Sequence, residues 1–268
     1  MPTRFHKMHG LGNDFVILDQ RDGEESVIDA ALAKAICDRR TGIGCDQLIR
    51  LSSAKDADLR MDIWNADGGR AEACGNASRC VVALTGARTI ATEGGKLAGS
   101  GSGEAVSVLL GEPAFAWDAI PLAEAMDTAP LPCGWDALER PDAVNVGNPH
   151  LCFFVSSLDD IPLESLGPSI ENDPLFPERI NVNVAKVEED GSLTLRTFER
   201  GAGLTLACGT GACATAVAAI RRKLVSSPVT VHMRGGDLSI AWAPGQPIRM
   251  TGPATHVFSG EIDLKSLA

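Results

Sequence analysis

Two Cys-Gly pairs, Cys74-Gly75 and Cys208-Gly209, lie 134 positions apart in a chain of 268 residues. Each pair follows a polar loop that contains glycine, and each stands where a helix is predicted to begin. Inversion of a stereocentre requires a base on one face of a carbon atom and an acid on the opposite face. Two thiols, delivered by two related halves of the chain, would supply both groups without a cofactor.

A cysteine at the start of a helix is expected to ionise easily. Unpaired amides and the helix dipole stabilise a thiolate there and lower the pKa of the thiol. The same amides also bind carboxylates. Each thiol is therefore predicted to stand beside a substrate carboxylate held by the amides that follow it, which are those of Gly75 and Asn76 in the first half and of Gly209 and Thr210 in the second.

Other landmarks repeat at the same spacing, as expected of a duplicated domain. An offset of 134 positions relates Gln47 to Asn181, Asn65 to Glu199, and Gly69 to Gly203. Residues 12–15 and 147–150 are related by an offset of 135. We therefore expect two homologous domains, over residues 1–118 and 119–261.

Hydrophobic patterns predict the elements that must position these residues. Strands are expected at 15–19, 48–51, 59–64, 105–110, 151–155, 181–187, 193–198, 229–233 and 237–242, and helices at 30–39, 77–84 and 211–224. The last helix is apolar nearly all round, so it should be buried with strands wrapped about it. The proline-rich stretch from 111 to about 142 is the predicted crossover between the domains.

The net charge of −11 and the pI near 4.9 argue against nucleic acid or an anionic membrane surface as a partner. No apolar run is long enough to span a membrane, and the first residues lack the apolar stretch of a signal peptide. These features predict a cytoplasmic protein. In a chain of this size without an export signal, the eight cysteines are expected to be reduced rather than paired in disulfides.

Two other interpretations of the cysteines stay open at this stage. The chain could be a thiol redox protein, or Cys74, Cys80, Cys208 and Cys213 could hold zinc. The spacings within the Cys74/Cys80 and Cys208/Cys213 pairs exceed those usual for structural zinc sites, so no metal is expected. Each polar landmark taken alone could also be an ordinary turn former.

The chain resembles the diaminopimelate epimerases over nearly its full length. The motifs that carry this resemblance are His9–Phe15, Gly44–Gln47, Asn65–Gly68, Ala73–Asn76, Gly147–His150, Arg179–Val182 and Glu199–Gly211. The resemblance implies an isomerase that interconverts LL- and meso-diaminopimelate, on the route to lysine and peptidoglycan. It implies a cofactor-independent mechanism that uses two cysteines, and commonly a homodimer.

The resemblance also implies a fold and a set of roles. The fold is α/β (α+β), with two pseudo-symmetric domains, each a curled, mainly antiparallel sheet around a central helix, and the active site in the cleft between them. The tail at about 262–268 is expected to return to the first domain.

The implied roles are catalysis by Cys74 and Cys208; binding of the reacting carboxylate by Gly75, Asn76, Gly209 and Thr210; binding of the reacting amino group by Asn13, Gln47 and Glu199; recognition of the distal end by Asn65, Asn148, Asn181 and Arg200; and tuning of thiol ionisation by His150 and Glu199.

Two positions depart from the family pattern. Ala77 stands where glycine is frequent, and Leu204 stands where glutamate is common. Neither is one of the expected reacting groups. Proline racemases and related isomerases share the architecture and the thiol pair, so a racemase of another amino acid is the alternative within the same fold. The side-chain set for a distal amino acid, including Asn13, Asn65 and Arg200, favours diaminopimelate.

Overall fold

The computed structural model describes residues 2–23, 26–72 and 74–267. Ala73, which belongs to the first Cys-Gly motif, lies outside the described residues. Packing divides the chain into two compact units. The first contains the chain up to Leu109 and the segment from Thr251 onward, and the second is Leu110–Met250. The homologous-domain boundaries at 118/119 and about 261/262 stay predictions.

Numbered in chain order, the elements of the first part of the chain are β1 (Thr3–Gly10), β2 (Asn13–Asp19), α1 (Ala30–Cys37), β3 (Gln47–Ser52), β4 (Leu59–Asn65), β5 (Arg70–Ala71), α2 (Gly75–Thr85), β6 (Thr89–Thr92), β7 (Gly95–Ser100) and β8 (Val106–Leu109). Next come β9 (Gly134–Trp135), β10 (Leu138–Glu139), β11 (Asp142–Asn145), β12 (Pro149–Phe154), α3 (Leu163–Glu171), β13 (Asn181–Val187), β14 (Leu193–Glu199), β15 (Gly203–Leu204), α4 (Gly209–Arg221), β16 (Val229–Met233) and β17 (Gly236–Ala241). The chain ends with β18 (Arg249–Gly252), β19 (Thr255–Ile262) and a 3₁₀ turn at Leu264–Ser266.

Both units use the same order of strand pairing. In the first, β1 is antiparallel to β2, β2 parallel to β3, β3 antiparallel to β4, β4 parallel to β6, and β6 antiparallel to β7. In the second, β11 to β14, β16 and β17 repeat that series with the same alternation. The shared pattern confirms the predicted mixed α/β fold built from two similar, mainly antiparallel units.

A buried helix packs against the strands of each unit. In the first, α2 contacts β1, β7, β8 and β19; in the second, α4 contacts β11 to β14, β16 and β17. The residues of α4 from Gly211 to Ala219 are all buried, as its apolar sequence predicted. Small side chains such as alanine allow the surrounding backbone to approach this helix closely, which fixes the position of its first turn relative to the strands.

Several elements were not predicted from the sequence, among them α3, β1 and β19. The helix α3 contains Gly167 and Pro168, which disfavour helix, but a Cβ atom at Gly167 would lie 2.4 Å from the ring of Phe198. Tertiary packing therefore selects this helix. The strand β1 reads as a polar loop, yet it pairs with β2 on one side and with β19 on the other. Residues 255–261, which the sequence assigned to the second domain, thus belong to the first compact unit, and residue 262 lies there as predicted for the tail.

Among the described residues, no helix combines the length and the apolar character needed to cross a membrane.

Candidate active site

Cys74 occupies the N-cap of α2, with extended backbone angles of φ −149° and ψ 113°. Its carbonyl oxygen accepts the backbone amide of Ser78 at 2.9 Å and the hydroxyl of the same residue at 2.8 Å. The helix therefore begins at Gly75, two positions before the predicted start at 77. The amides of Gly75 and Asn76 stand in its first turn, where amides lack partners within the helix.

The side chain of Asn13 joins this helix start. Its Oδ1 lies 3.9 Å from the sulfur of Cys74 and accepts the Nδ2 of Asn76 at 3.2 Å. Its own Nδ2 donates to a carboxylate oxygen of Asp46 at 2.9 Å. A carboxylate oxygen accepts hydrogen bonds, so the NH₂ group of Asn13 must face Asp46. The Oδ1 of Asn13 is therefore the atom that faces Cys74. Asp46 lies in the Gly44–Gln47 motif, but no role was predicted for it.

Asp46 is itself held in a charged network. Arg39 bridges Asp46 at 2.8 Å and Asp14 at 2.7 Å, and the ammonium of Lys7 lies 2.5 Å from Asp14. Burial opposes ionisation of Asp14, but hydrogen bonds from Arg39 and Lys7 prevail and lower its pKa to about 2. This network joins the start of β2, which carries Asn13, to the segment before β3, which carries Asp46.

Gln47 and Asn65 face each other on the paired strands β3 and β4, where they are in register. The Nε2 of Gln47 donates to the Oδ1 of Asn65 at 2.8 Å. The Oε1 of Gln47 is buried and has no hydrogen-bond partner among the described residues. A buried acceptor without a partner is costly, so this oxygen is suited to receive a donor from a ligand.

Cys208 is the N-cap of α4, at the position equivalent to Cys74. Its sulfur accepts the backbone amide of Gly211 at 3.3 Å and lies 3.6 Å from the hydroxyl of Thr210. Only 4% of the residue is exposed. Both groups can donate to the sulfur, which favours the thiolate.

The pKa of Cys208 is nevertheless raised rather than lowered. Burial raises the pKa of this thiol well above its ordinary value, and the negative charge of Glu199 raises it further. Hydrogen bonds from Thr210 and Gly211 only partly compensate. The expectation that the helix start would lower this pKa is therefore wrong for Cys208, because desolvation and a neighbouring carboxylate outweigh the effect of the helix start.

His150 lies at the centre of the second unit's site and is fully buried. Its Nε2 is 2.9 Å from the Oδ1 of Asn148, and the Nδ2 of Asn148 is 3.4 Å from the hydroxyl of Thr210. Burial lowers the pKa of His150 to about 3, and the positive charge of Arg200 contributes. The imidazole is therefore neutral at physiological pH.

Asn181 and Arg200 are also adjacent. The amide of Arg200 donates to the Oδ1 of Asn181 at 3.0 Å, and the Nδ2 of Asn181 donates to the carbonyl of Pro149 at 2.8 Å. The guanidinium of Arg200 donates to the carbonyl of Glu178 at 2.9 Å. The second unit thus brings together seven of the predicted site residues: Asn148, His150, Asn181, Glu199, Arg200, Cys208 and Thr210.

The two other cysteines considered as zinc ligands lie inside the helices rather than at their starts. Cys80 and Cys213 are buried within α2 and α4. Across the described ranges, no three histidine, cysteine or acidic side chains form a group that could hold a metal ion. The two departures from the family pattern have packing roles: Ala77 is fully buried in α2, and Leu204 packs against the core of the second unit.

The chain is similar to known proteins over most of its length. The family model described as diaminopimelate epimerase matches residues 5–115 and 142–257. A diaminopimelate epimerase of Rhizorhabdus wittichii is 60% identical over 267 residues, covering 99% of this chain and 97% of that protein. The diaminopimelate epimerase of Sphingopyxis alaskensis is 59% identical over 264 residues, covering 98% of each chain.

Solved structures share the fold at much lower identity. A Bacillus anthracis phenazine biosynthesis protein of the PhzF family superimposes with a TM-score of 0.69 at 15% identity, covering 98% of this chain and 99% of its own. A hydroxyproline epimerase from Agrobacterium vitis gives a TM-score of 0.65 at 15% identity, with 97% and 92% covered. These similarities concern the fold alone.

The family match spans most of the chain, and relatives about 60% identical cover it almost entirely. This chain belongs to the diaminopimelate epimerase family.

Proposed function

We propose that this chain is an isomerase that epimerises LL-2,6-diaminopimelate to meso-diaminopimelate, in the formation of lysine and peptidoglycan precursors. The observation that carries the proposal is family membership along almost the whole chain, at identities near 60%. The equivalent placement of Cys74 and Cys208, each at the start of a buried helix, supports a reaction that needs two similar groups.

In the proposed reaction the two thiols act on opposite faces of one α-carbon. The thiolate of one cysteine takes the α-proton, and the thiol of the other gives a proton to the opposite face, so one proton leaves and one arrives. The amides of Gly75 and Asn76, together with those of Gly209 and Thr210, would stabilise the charge that develops on the carboxylate. This chemistry uses no cofactor and no metal.

The other polar residues would hold the two ends of the substrate. Asn13, Gln47 and Glu199 are proposed to bind the reacting amino group, and the unpartnered Oε1 of Gln47 is suited to accept from an ammonium. Asn65, Asn148, Asn181 and Arg200 are proposed to bind the distal amino acid. The guanidinium of Arg200 provides the positive charge that a distal carboxylate requires.

Glu199 and His150 are proposed to set the ionisation of Cys208. Glu199 favours the thiol through its negative charge. Substrate binding would bring an ammonium group to Glu199 and offset that charge. The thiolate of Cys208 would then form more easily when substrate is present than when it is absent.

Location and assembly are part of the proposal. We expect the enzyme to work in the cytoplasm, where its eight cysteines would stay reduced. We also expect a homodimer. Val257 and Phe258, on β19, are 54% and 47% exposed, and apolar side chains on a paired strand suit a contact between two copies. Size-exclusion chromatography with light scattering, comparing wild type with Phe258→Glu, tests this assembly.

Hydrogen exchange at the α-carbon tests the proposed reaction. Purified protein, treated with a metal chelator, is incubated in deuterated water with LL-diaminopimelate, and parallel samples receive L-proline or trans-4-hydroxy-L-proline. The proposal predicts deuterium at the α-carbon and formation of the meso isomer only with diaminopimelate. Exchange with a proline substrate but not with diaminopimelate would assign the chain to another activity of the same fold.

A further inference from the structure

Asn183 is a buried residue of β13 that the sequence does not mark as part of the site. The residue has no exposed surface. Its Nδ2 donates to the carbonyl oxygen of Leu151 at 2.9 Å and to the Nδ1 of His150 at 3.1 Å. Its Oδ1 accepts the hydroxyl of Thr197 at 3.0 Å. All three contacts lie within the second unit.

The carbonyl of Leu151 determines which way this amide faces. A backbone carbonyl oxygen can only accept hydrogen bonds, so the NH₂ group of Asn183 must face it. The same NH₂ group then faces the Nδ1 of His150. The Nδ1 must therefore be the unprotonated nitrogen of the ring, and the single proton of the neutral imidazole resides on Nε2.

The direction of the next hydrogen bonds follows from this tautomer. The Nε2–H of His150 requires an acceptor, so the Oδ1 of Asn148, 2.9 Å away, faces it. The Nδ2 of Asn148 then faces away from His150 and donates to the hydroxyl oxygen of Thr210 at 3.4 Å. Because that oxygen already accepts, the hydroxyl proton is free to donate to another acceptor.

The acceptor within reach is the sulfur of Cys208, 3.6 Å from the hydroxyl oxygen of Thr210. We infer that Asn183 is a positioning residue that fixes the direction of the hydrogen bonds from His150 through Asn148 to Thr210 and so aims the hydroxyl proton of Thr210 at Cys208. This deepens the proposed function and rests on it, since the thiolate of Cys208 is the species that the hydroxyl would stabilise.

The packing around Asn183 leaves little freedom for another arrangement. A Cβ atom at Gly211, in the first turn of α4, would lie 2.6 Å from the Oδ1 of Asn183 and 3.0 Å from the hydroxyl of Thr197. A glycine at this point therefore allows the helix start to approach the buried amide closely. The same glycine donates its own amide to Cys208, so this contact also positions the backbone donor to the sulfur.

We call the hydrogen bonds from His150 through Asn148 to Thr210 the relay, and each charged or titratable group named next shifts a neighbouring pKa in one direction. Glu199, on β14, faces Cys208 and favours the neutral thiol. Arg200 acts on His150 and favours the neutral ring. Cys152, next to Asn183, stays a thiol, because burial raises its pKa to about 12. A shift in the ionisation of Cys208 on changing Asn183 must therefore be separated from a direct effect of charge.

The tautomer of His150 in the wild-type protein is the first test. Nitrogen-15 spectra of histidine-labelled protein, with His150 assigned by its absence in His150→Gln, distinguish protonated from unprotonated ring nitrogens. The inference predicts a neutral ring with the proton on Nε2 from pH 5 to 8. A proton on Nδ1 would overturn it.

The second test is a double-mutant cycle. Asn183→Asp places an acceptor against Nδ1, which should move the proton to Nδ1 and reverse the relay. The pH midpoint for alkylation of Cys208 by iodoacetamide, resolved by peptide mass spectrometry, should rise by about one unit, the scale of one hydrogen bond to a charged group. Alkylation of Cys74 in the same sample serves as the internal reference.

Asn183→Asp is then combined with Thr210→Val, which lacks the hydroxyl, and with Thr210→Ser, which retains it. The shift caused by Asn183→Asp should vanish in the first background and persist in the second. An equal shift in both would mean that the new charge acts directly, and would refute the relay. Asn172→Asp, at an exposed asparagine that also donates to a backbone carbonyl, is the matched control.

Neither test uses the substrate. If the exchange assay with diaminopimelate fails while the tautomer and the alkylation cycle behave as stated, the proposed function is wrong and the relay stands. If the exchange assay succeeds and the cycle shows no coupling, the relay is wrong and the proposed function stands.

Discussion

The backbone amide of Gly211 donates a hydrogen bond to the sulfur of Cys208 at 3.3 Å. The equivalent sulfur, that of Cys74, lies 3.9 Å from the Oδ1 of Asn13, an oxygen to which a thiol can donate. The two helix starts repeat the same backbone design but surround their sulfurs with different groups. Ionisation of the two thiols should therefore respond to different residues.

Removal of the charge at Glu199 should make Cys208 more acidic. The pKa of this thiol is raised first by burial and then by the carboxylate of Glu199, so Glu199→Gln should lower it while leaving it above its ordinary value. The measurement is the rate of alkylation of Cys208 as a function of pH. Glu189→Gln, at an exposed carboxylate of the same unit, should leave the profile unchanged. A wild-type profile in Glu199→Gln would exclude this role.

His150 should make the protein less stable as the pH falls. Its pKa is about 3 in the folded protein and about 6.5 in an unfolded chain. Below about pH 6.5 the unfolded chain therefore takes up a proton that the folded protein does not, and this loss of stability grows until the pH reaches about 3.

At pH 5 the corresponding loss is about 2 kcal/mol. His150→Gln lacks this term, so its deficit in the free energy of unfolding relative to wild type should shrink by about that amount between pH 7 and pH 5. Urea titrations at the two pH values measure it. A deficit that is the same at both pH values would show that His150 is not held neutral by the fold.

A methyl group at Gly211 should disturb the start of α4. The added Cβ would lie 2.6 Å from the Oδ1 of Asn183, too close for an ordinary contact. Gly211→Ala should therefore lower the free energy of unfolding by about 1–3 kcal/mol, as expected for overpacking. Gly111→Ala is the control, because a Cβ there has no heavy atom within 4 Å. Equal stabilities of the two variants in urea would contradict the close approach.

Arg200 should contribute to substrate binding. Loss of a charged hydrogen bond to a distal carboxylate costs about 2 kcal/mol, so Arg200→Ala should raise the Michaelis constant for diaminopimelate by roughly 30-fold, by the same conversion. Arg88→Ala, at an exposed arginine of the first unit, should leave it unchanged. An unaltered constant in Arg200→Ala would remove this side chain from the binding site.

The sequence predicted much of the local arrangement, because the repeat fixes positions as well as identities. Gln47 begins β3 and its counterpart Asn181 begins β13, while Asn65 and Glu199 end the strands paired with them. The sequence therefore predicted polar residues at the junctions of loops and strands, in the same order in both halves.

What could not be predicted depends on tertiary packing. The pKa of Cys208 is set by its burial and by the approach of Glu199, and neither can be deduced from a position at a helix start. Asn183 occupies an ordinary strand position in the sequence, and only the approach of Gly211 and the carbonyl of Leu151 define its orientation. Asp46 acquires its role through a hydrogen bond from Asn13, which lies 33 residues away in the sequence.

The most direct test of the central claim is the epimerase activity of Cys74→Ala and Cys208→Ala, measured by meso product formed from LL-diaminopimelate. Since each thiol would supply one of the two required proton transfers, either variant should lose roughly 100-fold or more in turnover. Cys133→Ala, at a partly exposed thiol outside both helix starts, should keep wild-type turnover. Wild-type turnover in Cys74→Ala or Cys208→Ala would contradict the account.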